Sequence, residues 1–107
     1  MAQTKADLFQ EDEILCASYA KALSHPARVA ILKVLAQKKS CVCGDIVDEL
    51  PIAQATVSQH LKELKEVGLI QGTIDGPSVC YCINAEGLQK AQTLLTSLFS
   101  SAAKCCC

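Results

Sequence analysis

A chain of 107 residues accommodates one domain and leaves no room for a second. Half of it is apolar, but with two Phe, two Tyr and no Trp its core is expected to be aliphatic. Ten basic against eleven acidic residues give a net charge of -1, which argues mildly against nucleic-acid binding, whose usual footprint is a basic stripe.

The first ten residues are too polar for a secretory leader, and no apolar run approaches the roughly 20 residues of a membrane span. The expected location is therefore the cytoplasm. In that reducing compartment eight cysteines point to thiolate ligands or redox groups rather than structural disulfides.

In chain order, Ile14, Leu15, Ala17, Ala20 and Ala22 form a small-residue helical face over about 8–23. Ser24-His25-Pro26 then punctuates the chain, because a polar cap followed at once by Pro is the form of a helix start. Val29, Ile31, Leu32 and Leu35 continue at helical spacing until the polar stretch 37–40. A short third helix is expected over 43–50, with Ile46, Val47 and Leu50 inward and Pro51 stopping it. After a turn of about three residues a fourth helix runs over about 54–67, with Val57, Leu61 and Leu64 at i, i+4 and i+7. Gly68 closes it as a left-handed cap residue. Two short helices joined by a tight turn are the helix-turn-helix arrangement.

Residues 69–74 and 79–83 read as two strands, with Asp75-Gly76-Pro77-Ser78 as their turn. A last helix over about 86–103 carries Leu88, Ala91, Leu94, Leu95, Leu98 and Phe99. That stripe is wider than one small core needs, so part of it is expected to meet a second subunit. The expected fold is thus mainly α with a small β-hairpin: a winged helix-turn-helix that dimerises through its first and last helices. One domain covers 1–104, and Cys105, Cys106 and Cys107 form a tail.

On the fourth helix the inward Val57, Leu61 and Leu64 leave Gln54, Ser58, Gln59 and Lys62 largely outward. A helix in the major groove reads base edges with short polar groups near its amino terminus. Lys62 suits a phosphate, and His60 could serve phosphate or base. Taken alone the pattern is weak, since most polar helix faces are merely solvated. Its context is more specific. The segments Leu23-Ser24-His25-Pro26-Ala27-Arg28-Val29-Ala30-Ile31-Leu32, Ala55-Thr56-Val57-Ser58-Gln59-His60-Leu61-Lys62-Glu63-Leu64 and Gly68-Leu69-Ile70, in that order, resemble the ArsR/SmtB family of metal-responsive repressors. The resemblance covers roughly residues 15–100. It implies a homodimer whose recognition helices enter successive major grooves of a palindromic double-stranded operator, each with a hairpin wing beside it. The DNA-contacting set would be Gln54, Thr56, Ser58, Gln59, His60 and Lys62.

The sequence departs from that family twice here. Ala53 stands where Ser is common, which costs the helix a cap of about 1 kcal/mol. The wing stretch 73–78 holds no Arg or Lys, so affinity leans on Lys62, Lys65 and dimer geometry, with a shallower salt dependence.

Cys41-Val42-Cys43 sits at the expected start of the third helix and resembles the thiol pair of family members that sense arsenic or soft metals. Thiols at a helix amino terminus ionise more readily, and thiolates bind soft ions. Trivalent arsenic and antimony take three sulfurs, a singly methylated arsenical two. On an ideal helix, residues two apart lie about 200° around from each other, so binding both would unwind the first turn and move the reading head. The position one turn further on, a third cysteine in the best-known form of this site, is Ile46. The third sulfur then comes from Cys105, Cys106 or Cys107, from Cys80 or Cys82, or from Cys16, or only two are used. The tail is favoured weakly for its richness in thiols; equally it reads as a chain end with casual ones. Cys80 and Cys82 also read as small hairpin residues, and Cys16 as packing.

The family's carboxylate–histidine site on the last helix is absent, because from residue 86 onward there is no His and Glu86 is the only carboxylate. A zinc or cadmium tetrathiolate from the same cysteines stays open. His25 beside Pro26 is expected to fix the helix start. The sequence shows no Ser/His/Asp or Cys/His arrangement and no glycine-rich phosphate loop, so no enzyme is expected. The expected function is repression of an arsenic-resistance operon, needing no cofactor for DNA binding and relieved by arsenite, antimonite or an organoarsenical. The alternatives are a thiol redox switch or a zinc- or cadmium-responsive repressor on the same fold.

Overall fold

The computed structural model of the chain describes residues 8–38, 41–43, 53–73 and 80–104. Its elements are α1 (Glu11–Ala22), α2 (Pro26–Lys38), β1 (Val42–Cys43), α3 (Gln54–Glu66), β2 (Ile70–Thr73), β3 (Cys80–Ile83) and α4 (Ala85–Ala103). Among these residues no helix is long and apolar enough to cross a membrane.

The helix ends follow from local chemistry. Three acidic residues, Glu11, Asp12 and Glu13, open α1 where the helix dipole favours negative charge, and the Gln10 N–H donates to Glu13 at 2.9 Å. Pro26 occupies the first position of α2, where its missing N–H costs nothing, and His25 Nδ1 accepts from the Ala27 N–H at 3.0 Å. His25 thus fixes the helix start, as the sequence suggests. Ala53 caps α3 without a side-chain bond.

At the far end of α3, Gly68 adopts φ 85°, its N–H donates to the Lys65 carbonyl at 2.9 Å, and the Leu69 N–H donates to the Leu64 carbonyl at 3.0 Å. This pair of bonds is a Schellman motif, which only a residue tolerant of positive φ completes without strain. The same corner holds α4. The Asn84 N–H donates to the Leu69 carbonyl at 3.0 Å, while Asn84 Oδ1 accepts from the Gly87 N–H at 3.3 Å. Gly87 lies so close to the Gly68 carbonyl that a Cβ there would collide with it. The end of α3 and the start of α4 are therefore locked together.

One antiparallel sheet has the strand order β1-β3-β2. Ile70 pairs with Ile83 and Thr73 with Cys80 in the wing, while Val42 pairs with Tyr81 and Cys43 with Cys80 on the other side of β3. Here the structure corrects the sequence reading. Cys43 belongs to a strand and does not open a helix, because β1 satisfies the backbone edge that β3 would otherwise expose. The rest of the expected third helix (44–50), the wing turn (75–78) and the Cys105–Cys107 tail lie outside the described residues.

The core joins Tyr19 and Ala22 of α1, Ile31 and Leu35 of α2, and Val57, Leu61 and Leu64 of α3 to Leu69, Ile70, Tyr81 and Ala91. Both tyrosines are buried, so the core is not purely aliphatic. The α1 and α4 helices pack on each other, yet Leu98 and Phe99 remain 52% and 65% exposed.

Candidate nucleic-acid interface and thiol cluster

Helix α3 divides its residues as the sequence periodicity requires. Val57, Leu61 and Leu64 are buried, while Thr56, Gln59 and Lys62 are exposed and Ser58 is half-buried. Gln54 is the first residue of the helix. Gln59 Nε2 donates to Glu63 Oε1 at 3.2 Å, which holds one polar side chain along the outer face. A row of short polar groups backed by a rigid core is a surface that can lie against base edges.

His60 is not on that face, and this removes it from the expected DNA-contacting set. It is 6% exposed, and Arg28 Nε donates to its Nδ1 at 3.0 Å. The His25 ring lies 4.4 Å away at a 49° tilt. The reason is spacing: position 60 is three residues after Val57 and four before Leu64, which puts it on the inward face of the helix. The Nη1 group of Arg28 also reaches the Lys21 and Ala22 carbonyls at 3.5 Å. Arg28 is a residue the sequence reading missed. It orients α3 through His60, tying the reading helix to α2 and to the end of α1. The signal available was its place directly after His25-Pro26-Ala27.

Burial, reinforced by His25 and Arg28 and partly opposed by Glu63, pushes the His60 pKa below its ordinary 6.5. Because Nδ1 accepts a bond, the neutral ring carries its proton on Nε2. Between the folded value and 6.5 the unfolded chain binds more protons, so stability rises with pH. The contribution is fully present above 6.5 and is lost as the pH falls through the folded value. The thermal midpoint should therefore drop between pH 7 and pH 5 more steeply in the natural chain than in His60→Gln. Parallel slopes in the two proteins would assign the pH dependence to other groups.

Four cysteines are gathered at β1 and β3. Cys41, exposed just before β1, is disulfide-bonded to Cys82 on β3, with Cα atoms 4.3 Å apart. Cys43 lies in register with Cys80, which is also disulfide-bonded. On β3, Tyr81 is buried while Cys80 and Cys82 are half-buried, the alternation expected of a strand with one face in the core. Gln71 Nε2 donates to Cys82 Sγ at 3.8 Å. Leu35, Ala36, Ile83, Ala85 and Leu88 line a mainly apolar cleft of about 470 Å³ beside Cys41 and Cys82.

Cys16 is not brought to this cluster. It is a free thiol on α1, lining a different groove with Ala17, Ala20, Leu94 and Leu98. Because Cys43 is in a strand, the argument from a helix amino terminus and a 200° separation does not apply to it. Among the described residues no three His, Cys, Asp or Glu side chains are grouped to hold a metal ion.

Residues 25–71 match the family described as "Bacterial regulatory protein, arsR family". Over 61 residues the chain is 43% identical to the HTH-type transcriptional repressor SmtB of Mycobacterium tuberculosis, a stretch that is 57% of this chain. It covers 44% of that repressor, so the chain spans less than half of its length. It is 31% identical to the arsenical resistance operon repressor of Staphylococcus xylosus, over 81% of this chain and 83% of that one. The fold matches that of an ArsR-like transcriptional regulator from Rhodococcus sp. RHA1 at a TM-score of 0.65 and 22% identity, covering 86% of each chain.

Proposed function

The chain belongs to the arsR family of bacterial regulatory proteins, and from that premise we propose that it is a homodimeric repressor that leaves its operator when trivalent arsenic or antimony binds Cys41 and Cys43. It is a DNA-binding regulator, not an enzyme. The outer face of α3, with Gln54, Thr56, Ser58, Gln59 and Lys62, enters the major groove of a double-stranded operator and reads it. The wing beside it is uncharged at Gln71, Gly72 and Thr73. Two α3 helices related by a twofold axis set the half-site spacing of a palindrome. The exposed Leu98 and Phe99 on α4, together with Phe9 ahead of α1, supply an apolar surface for the second copy.

The observation that carries the inducer half is the position of Cys43 in the sheet that bears the wing, with Cys41 directly before β1 and bonded to Cys82 of β3. An ion held there changes how β1 and β3 sit on the core that also supports α3. A coupling of roughly 3 kcal/mol weakens DNA binding over a hundredfold, within the ordinary allosteric range. The relative named as an arsenical resistance operon repressor supports arsenic as the ion.

The Cys41–Cys82 disulfide supports a second reading, in which the chain is a redox switch. A peroxide would oxidise the two thiols to the disulfide with release of two water molecules, and small thiols would reverse it. One experiment separates the two readings. A fluorescent duplex selected by the protein from random DNA is titrated with arsenite under excess phosphine reductant. Release by arsenite in the reductant is expected. If the reductant abolishes release and peroxide alone produces it, the redox reading replaces arsenic sensing.

A further inference from the structure

Ile46 leaves a three-sulfur ion one ligand short of a local set, and the fold brings a candidate to the place. We infer that Cys82, on β3, supplies the third thiolate to the ion held by Cys41 and Cys43. This rests on the arsenic-sensing reading above and names the ligand which that reading leaves open.

Three observations converge on it. The sulfurs of Cys41 and Cys82 are bonded to each other, so the fold already brings these two thiols within reach of one ion. Cys43, two positions after Cys41, lies in β1, whose backbone pairs with β3, the strand that carries Cys82. Of the other described candidates, Cys16 lines the groove between α1 and α4 instead, and Cys80 stands opposite Cys43 on β3, where it is itself disulfide-bonded and not joined to Cys41. Leu35, Ala36, Ile83 and Leu88 also give the cleft at Cys41 and Cys82 a mainly apolar wall. Thiolate bonds to a soft, weakly hydrated ion gain from such a setting.

The chemistry balances in two steps. Two molecules of a small cellular thiol reduce the Cys41–Cys82 disulfide and leave as their own disulfide. Arsenous acid, As(OH)3, then condenses with three cysteine thiols, forming three As–S bonds and releasing three water molecules while arsenic stays trivalent. The product ties β1 to β3 through one ion, so the signal enters the sheet at the strand that continues into α4.

The test uses the reduced full-length chain on its selected duplex, with arsenite and phenylarsine oxide as probes. Phenylarsine oxide needs only two thiols. Cys82→Ser should raise the arsenite needed for release about a hundredfold while leaving phenylarsine oxide release within about threefold of the natural chain. Cys80→Ser and the triple change Cys105→Ser, Cys106→Ser and Cys107→Ser should leave both responses unchanged. A second measurement avoids substitution altogether. Arsenite-loaded natural protein is alkylated and mapped by mass spectrometry, and Cys41, Cys43 and Cys82 should be the protected thiols.

An arsenite response that survives in Cys82→Ser, or Cys82 alkylated while a tail cysteine is protected, overturns the inference and leaves arsenic sensing standing. A natural chain that neither probe releases from DNA defeats arsenic sensing itself, and the inference with it.

Discussion

Cys41→Ser and Cys43→Ser each leave operator affinity within about twofold of the natural protein and raise the arsenite needed for release at least about a hundredfold. Three structural facts set this expectation. Cys41 is exposed and outside the core, so serine removes a sulfur without opening a cavity. Cys43 contributes to β1 through its backbone register with Cys80, which serine retains. Neither position lies on α3, whose outer face carries the proposed base contacts. The effect is therefore confined to induction, and it is large because removing one of three thiolates removes the coordination that trivalent arsenic requires. The check is an anisotropy titration of each variant, first with DNA alone and then with arsenite in reductant. Normal induction in both variants would move the sensor to other thiols; lost DNA binding would mean that these residues support the reading helix.

The double change Leu98→Asp and Phe99→Asp should convert the proposed dimer to a monomer and weaken operator binding by roughly 10² to 10⁴. These side chains are 52% and 65% exposed on the isolated chain, so two carboxylates there leave the folded monomer intact. Placed in an apolar interface, each charge loses hydration without gaining a partner, which costs several kcal/mol per ion. The fall in affinity follows from valency: joined reading helices bind their second half-site at a high effective concentration, and a monomer does not. Sedimentation velocity reports the oligomer and circular dichroism the fold. If the variant stays dimeric, the interface lies elsewhere.

Much of this was readable from local pattern. The i, i+4, i+7 repeat of Val57, Leu61 and Leu64 places α3 and its inward face. Gly68 after the last repeat announces the cap that its φ of 85° realises. His25-Pro26 marks the start of α2 through a bond two residues away. Each of these depends on neighbours within one or two turns, and such interactions are written along the chain. The same periodicity already held the position of His60, three residues from Val57 and four from Leu64. Reading that residue by its type, as a polar group for DNA, instead of by its spacing, produced the error.

The sequence by itself determined α1, α2, α3 and α4, the wing strands, and the split of Val57, Leu61 and Leu64 inward from Thr56, Gln59 and Lys62 outward on α3. Tertiary structure alone decided that Arg28 turns inward to His60, 32 residues away, and that Cys41 meets Cys82 across 41 residues. Those facts depend on which strand edge β3 offers and which segment closes it. Val42 and Cys43 are too short a run to declare a strand by pattern; they become one because an unpaired edge of β3 lies beside them. Pairing of this kind is a property of two distant segments jointly, and neither carries it alone.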